Sequence, residues 1–346
     1  MSKYRYLFTL VIVLSLLGSC NSDDPIPTST LNTDSVITAW LDSASITATR
    51  DESGVYYYPV NLNPTGSTIG AAGQVLGIYY TLLDLDSAQI DSYQPIDGDS
   101  LLYKYASNAM FPLGVDQVIG FMRVGETYNF LLPPNQGYQD APSITTTDAT
   151  GVVLLQVSLV SVLTEAEVNT VELAQIDDYI RINDLNDTLS ITIERIDTTF
   201  LGMQILSIDT TFNYEIDSVQ YFNSGVRYKE LSAGSGLVGQ NGDTITIDYQ
   251  ITYLDGTAIS SRSNFTYELG SGIPDVLIPG LEFGLTLMAP GAEGIIMIPS
   301  SQAYRESARV IPSFIIPELI DARIIPDYVD QVEPYRTLVF NVTRVQ

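Results

Sequence analysis

The sequence predicts an α+β protein built twice, as two antiparallel sheets each wrapped on one short helix. Gly114, Met122, Gly125, Pro133 and Tyr138 recur as Gly280, Met288, Gly291, Pro299 and Tyr304, at a constant spacing of 166 residues. Five ungapped identities in sequence this varied mark an internal repeat. Upstream, Tyr80 and Ile90 return as Tyr249 and Ile259, and Ser53-Gly54-Val55-Tyr56-Tyr57 returns as Ser224-Gly225-Val226-Arg227-Tyr228. Strand periodicity supplies the sheets: Thr244-Ile245-Thr246-Ile247-Asp248-Tyr249 alternates polar and apolar, and Val152 to Val162 is a β-branched, apolar run.

At the N-terminus, Lys3 and Arg5 precede an uncharged, mostly apolar run of 11 residues, Leu7 to Leu17. A bilayer span needs about 20 apolar residues, whereas this run has the length of a secretory h-region. It ends in Leu17-Gly18-Ser19-Cys20, which resembles a bacterial lipobox, and Cys20 is the one cysteine of the chain. The resemblance implies a signal peptide over 1–19, lipidation of Cys20 and membrane attachment through that lipid. An ordinary signal peptide with a chance cysteine is the alternative. Residues 20–34 read as a flexible tether. Their Asn21-Ser22-Asp23-Asp24 resembles an address that sends lipoproteins to the cell surface. The expected location is therefore the outer membrane, at the cell surface or on its periplasmic face.

The first unit is expected over 35–163. Val36, Ile37, Trp40 and Leu41 share one helical face, and a short helix is expected over Val115 to Met122, stopped by Gly125. The second unit is expected over 164–346. It opens with a linker segment, 164–190, in which Ile176, Tyr179 and Ile180 mark a helix. An inserted hairpin is expected within 191–222, where Ile196-Asp197-Thr198-Thr199-Phe200 is repeated as Ile208-Asp209-Thr210-Thr211-Phe212. Leu254-Asp255-Gly256 is a hairpin turn, and the second short helix, Leu281 to Met288, precedes Gly291. A loop insertion lies within 305–336. Tyr138 and Val152 are separated by 13 residues, but Tyr304 and its strand counterpart Thr337 by 32. The additional residues are apolar and carry Ile311-Pro312, Ile316-Pro317 and Ile325-Pro326.

Composition excludes several classes of chemistry. The formal net charge is −26, and loss of the signal removes Lys3 and Arg5, giving −28. So acidic a chain repels nucleic acid, which is not expected as a partner. There is no histidine, which removes Ser-His-Asp and Cys-His catalysis and the common transition-metal sites. Asp97-Gly98-Asp99 and Asn183-Asp184-Leu185-Asn186-Asp187 hint at calcium, but neither carries the loop glycine and terminal glutamate of an EF-hand, and both read as solvated acidic loops. No metal site and no cofactor are expected.

The repeated unit resembles the FKBP family of peptidyl-prolyl isomerases. In the second half the resemblance runs through Tyr249, Tyr253-Leu254-Asp255-Gly256-Thr257-Ala258-Ile259, Phe265, Leu269-Gly270 and Leu277-Ile278-Pro279-Gly280-Leu281. It continues through Met288, Gly291, Ile298-Pro299, Ala303-Tyr304 and Thr337-Leu338-Val339-Phe340. In the first half it runs through Tyr80, Ile90-Asp91-Ser92, Phe111-Pro112-Leu113-Gly114-Val115, Met122, Gly125-Glu126, Pro133 and Gly137-Tyr138.

That family's chemistry suits a chain without histidine. Rotation about an X-Pro bond must break amide resonance, a barrier of about 18–20 kcal/mol. An apolar, dehydrated pocket favours the twisted amide, and a few fixed donors hold the substrate carbonyl. The resemblance implies that Tyr304, the Ile278 N–H and Tyr249 act in catalysis. It places Phe265, Ile259, Leu277, Leu281, Ala303 and Phe340 around the substrate, with Tyr80, Asp91, Val115 and Tyr138 as the first-half counterparts. Proline-containing polypeptide segments are the implied partners.

The sequence also departs from the family. The tryptophan that floors the pocket is replaced by Val115 and Leu281, and the aromatic of the Phe-Asp pair by Ile90 and Ile259. The aspartate survives as Asp91 but is Ser260 in the second half. The glycine after the pocket tyrosine is Gln139 or Arg305, and Pro112 has no N–H to donate. The expected function is an envelope isomerase and folding factor of low activity. The alternatives are a peptide-binding or assembly module without turnover, and a structural lipoprotein. An open second pocket favours the first two; one filled by Ile315, Ile316 or Tyr328 favours the last.

Overall fold

The computed structural model describes residues 32–146, 150–186, 196–200, 203–207, 219–271, 278–305, 307–325 and 332–346. Cys20 with its signal, Leu277, Tyr328 and the Ile208 to Phe212 repeat fall outside them. In the first unit, α1 (Thr33–Ala44) leads into β1 (Thr49–Arg50), β2 (Tyr56–Asn61), β3 (Val75–Asp84), β4 (Gln89–Tyr93), β5 (Leu101–Lys104) and β6 (Met110–Phe111). Then come the short α2 (Leu113–Val118), β7 (Thr127–Leu132) and β8 (Val153–Leu163). The second unit begins with α3 (Glu165–Ile182), then β9 (Ile196–Phe200), β10 (Met203–Ser207), β11 (Gln220–Tyr221), β12 (Arg227–Ser232), β13 (Thr244–Tyr253) and β14 (Ala258–Glu268). It closes with α4 (Pro279–Leu285), β15 (Glu293–Ile298), β16 (Arg309–Val310), α5 (Ile316–Asp321) and β17 (Leu338–Arg344).

The two main sheets have one topology. Strand order is β1-β2-β7-β8-β3-β4 in the first unit and β11-β12-β15-β17-β13-β14 in the second, antiparallel throughout. Replacing each strand by its repeat counterpart converts one order into the other. The edges differ. β14 runs along β13 as a single strand with two register shifts, whereas in the first unit β4 and β5 divide the same edge of β3 between them.

Both faces of each sheet are covered, which explains why the β8 sequence is apolar at nearly every position. Val153, Leu155, Val157 and Leu159 pack inward with Val115, Ile119 and Met122, while Val152 and Leu154 pack outward with Ile37 and Leu41 of α1. The second unit repeats this scheme. Ile296, Ile298 and Phe340 face Leu281 and Leu285 of α4, and Ile295, Met297 and Val339 face Ile176 and Ile180 of α3. The segment after Leu163 is a helix begun by a capping box: Thr164 Oγ1 accepts the Glu167 N–H at 3.2 Å, and Glu167 accepts the Thr164 N–H at 2.8 Å.

Two local expectations need correction. The short helices begin two residues earlier than expected, with Pro279 at the first turn of α4, where a proline's missing N–H costs nothing. Gly125 and Gly291 do not stop these helices. They sit at φ 87° and 83° in the turns entering β7 and β15, each donating its N–H at 2.7 Å to the neighbouring strand, to Leu159 and to Arg344 respectively. In the inserted hairpin, β9 pairs antiparallel with β10 and so with 203–207.

Candidate functional site

In the second unit the sheet's inner face and α4 gather most of the residues singled out from the sequence. Phe265, Ile278, Leu281 and Phe340 are buried in one apolar cluster, and Tyr249, Ile259, Ala303 and Tyr304 lie half-buried against it. The Tyr249 ring lies 5.9 Å from both Phe265, edge-on, and Phe340. β13 supplies Tyr249, β14 supplies Ile259 and Phe265, and β17 supplies Phe340. Tyr304 follows a 3₁₀ turn, Ser300–Gln302, that begins directly after Pro299 at the end of β15.

Gly280 is what allows that turn to approach α4. A Cβ there would lie 2.3 Å from Ile298 Cγ2 and 3.1 Å from the Gln302 carbonyl, so no larger residue fits without displacing both. Burial, with a smaller contribution from Tyr249, raises the Tyr304 hydroxyl above the ordinary tyrosine range, so it remains a neutral donor. Among the described residues neither that hydroxyl nor the Ile278 N–H has a hydrogen-bond partner. Ser260 stands where the first unit carries Asp91.

The first unit builds the same site and fills it. Tyr80, Val115 and Tyr138 are buried in its core, and the Tyr80 hydroxyl donates to Asp91. Phe111 meets Tyr138 edge-on at 5.7 Å. The remaining space holds residues from the second unit's insertion. Val310, Ile311, Ile315 and Leu319, at most 4% exposed, belong to this core. The Tyr138 hydroxyl donates to the Ile311 carbonyl at 2.8 Å, and β16 pairs in parallel with β6. Burial, then Tyr80 and Asp91, hold that hydroxyl well above the usual tyrosine value. The Phe111–Pro112 and Ile311–Pro312 peptides are cis.

The insertion therefore departs from expectation. Ile315 and Ile316 fill the first pocket rather than the second. Among the described residues of the insertion, Val332 alone joins the second core. Nothing in the local pattern of 309–325 specified which core would take it. The available signal was negative: an apolar stretch with no counterpart in the other repeat.

Residues 238–344 match the family model for FKBP-type peptidyl-prolyl cis-trans isomerase. The chain carries an FKBP-type domain. Shared strand order extends the fold to the first unit, so there are two FKBP-like domains in the chain. The probable FKBP-type peptidyl-prolyl cis-trans isomerase FkpA of Neisseria meningitidis serogroup B is 31% identical over 134 residues, covering 38% of this chain and 40% of that protein. The outer membrane protein MIP of Legionella longbeachae is 33% identical over 81 residues, 23% of this chain and 34% of that protein. The chain thus spans less than half the length of these curated relatives. Among solved structures, the three FKBP domains of wheat FKBP73 align over 87% of this chain and 98% of that one, with 13% identity and a TM-score of 0.29.

The FKBP match spans Tyr249, Phe265, Ile278, Leu281, Tyr304 and Phe340 and begins beyond the end of the first domain. A separate cavity of about 960 Å³ lies between the two FKBP-like domains, lined by Tyr79, Tyr93, Tyr253, Arg309 and Glu333 among others. Neither Tyr138 nor Tyr304 borders it, so it is an interdomain cleft distinct from both FKBP pockets.

Proposed function

We propose that this chain is a peptidyl-prolyl cis-trans isomerase and folding factor of the bacterial envelope, with turnover confined to the second FKBP-like domain. The observation that carries this reading is the Tyr304 hydroxyl, a neutral donor set in an aromatic cluster and free of partners among the described residues. A substrate X-Pro amide entering this cluster loses water, which favours the less charge-separated twisted state. The hydroxyl and the Ile278 N–H hold carbonyl oxygens of the substrate, and Tyr249, Phe265 and Phe340 supply the apolar walls.

Leu281 in place of an aromatic floor and Ser260 in place of a carboxylate reduce both packing against the proline ring and organisation of the pocket. Low activity follows. These two residues also favour the second reading, a module that binds proline-containing segments without turnover. Lipidation of Cys20 would tether either activity to the outer membrane, at the cell surface or on the periplasmic face; the relatives' names, an outer membrane protein among them, support an envelope setting.

A protease-free prolyl isomerisation assay on protein lacking residues 1–20 tests the proposal. Tyr304→Phe removes one hydrogen bond of about 1–1.5 kcal/mol, and kcat/KM is expected to fall about tenfold. Folded protein that gives no acceleration over the uncatalysed rate would leave the binding reading in its place.

A further inference from the structure

The segment following Tyr304 occupies the first domain's pocket in the manner of a bound peptide. Its backbone adds to β6: the Arg309 N–H donates to the Ala109 carbonyl at 2.8 Å and the Ile311 N–H to the Phe111 carbonyl at 3.0 Å. The Ile311 carbonyl receives the Tyr138 hydroxyl at 2.8 Å. Val310, Ile311, Ile315 and Leu319 supply the apolar contacts. At the far end the Ser143 N–H donates to Glu318 at 3.2 Å, and at the near end the buried Arg309 donates to the Leu102 carbonyl at 3.2 Å.

Polar complementarity is specific. The rim of this pocket offers carbonyl acceptors at Ala109 and Phe111, and Pro112, where the second domain has the Ile278 N–H, cannot donate. A ligand must therefore bring N–H groups two residues apart, and it must offer one carbonyl to the tyrosine hydroxyl. Residues 309–311 do this, and Pro312 follows with no N–H left to satisfy. Extended backbone addition with side chains in pockets is a general mode of peptide recognition.

We propose that the first domain is a receptor for its own chain: its pocket is a peptide-binding site whose resident ligand is segment 309–319, and it holds the second domain in place instead of turning over substrate. Free peptide gains access to the site only when that segment is displaced. This assignment is independent of whether the second domain is an isomerase, because it is read out by binding and by amide exchange.

The test uses the full chain in detergent and a fluorescein-labelled peptide with the sequence of residues 307–322. Unaltered chain is expected to show no saturable binding. The double variant Ile311→Asp/Ile315→Asp, which ejects the segment, is expected to bind saturably, with half-saturation at least tenfold below the highest concentration at which the unaltered chain shows none. Adding Tyr138→Phe should weaken that binding severalfold. Hydrogen exchange on the unaltered chain gives a second readout that does not depend on the variant folding. The Arg309 and Ile311 amides should exchange as slowly as those of β8. Rapid exchange at these two amides would overturn the proposal. So would a double variant that keeps its Trp40 fluorescence yet takes up no peptide, or equal binding by the unaltered chain.

Discussion

Ile315 is a second-domain residue by sequence and a first-domain core residue by position, and its truncation separates the two descriptions. The side chain is fully buried among residues of the first sheet and α2. Ile315→Ala removes three carbons, worth about 0.8 kcal/mol each as transferred surface, or about 2.4 kcal/mol. The cavity left behind adds to this, giving about 3 kcal/mol, within the ~2–5 kcal/mol range for such truncations. The chain's single tryptophan reports on the correct domain. Trp40 lies on α1, against the outer face of the first sheet, and donates its indole N–H to the Leu85 carbonyl at 2.8 Å. In urea unfolding followed by Trp40 fluorescence, a slope of about 2 kcal/mol per M converts the loss into a midpoint about 1.5 M lower. Phe314→Ala is the control, since Phe314 is 50% exposed beside it; its cost should stay below about 1 kcal/mol. A Trp40 midpoint for Ile315→Ala within ~0.3 M of the unaltered protein would refute the reasoning that the segment completes the first core.

Three further outcomes follow from single sites. Glu172 on α3 is buried and accepts from Ser300 and Thr337, yet burial outweighs these bonds and raises its pKa. The folded chain then holds that proton more tightly than the unfolded chain, so stability from this group is full below about pH 4 and falls as pH rises through the raised value. Glu172→Gln should flatten this part of the dependence of Tm on pH, measured by calorimetry between pH 4 and 7. Gly280→Ala should cost about 1–3 kcal/mol of second-domain stability in chemical unfolding, because the new methyl meets Ile298 and the Gln302 carbonyl. Isomerase activity should be level from pH 6 to 8.5, since the chain has no histidine and burial holds Tyr304 above the ordinary tyrosine range; a bell-shaped profile would point to a different donor.

Much of this molecule was legible in its sequence. The repeat offset, the turn at Leu254-Asp255-Gly256 and the two-residue alternation in β13 are local signals, and each maps onto one strand or turn. Burial on both faces made β8 read as a largely apolar run, interrupted by Gln156, Ser158 and Ser161, and that too was sufficient to place it. The pocket residues Tyr249, Phe265, Leu281, Tyr304 and Phe340 came together because the fold that aligns them is encoded strand by strand. Helix ends were less legible: a glycine at positive φ serves a strand-entry turn as well as a helix stop, and only the Gly125 and Gly291 hydrogen bonds distinguish these.

Tertiary structure alone decided the fate of the two matching tyrosines. Tyr138 and Tyr304 occupy equivalent positions in the repeat, yet one hydroxyl is engaged by Ile311 and the other has no partner among the described residues. Hydrophobic pattern states that Val310, Ile311, Ile315 and Leu319 must leave water, but burial is non-directional and does not name the core that receives them. Two similar pockets were available in one chain. The contacts that hold the segment are the Ala109 and Phe111 carbonyls and the Tyr138 hydroxyl, the last reaching a residue 173 positions away.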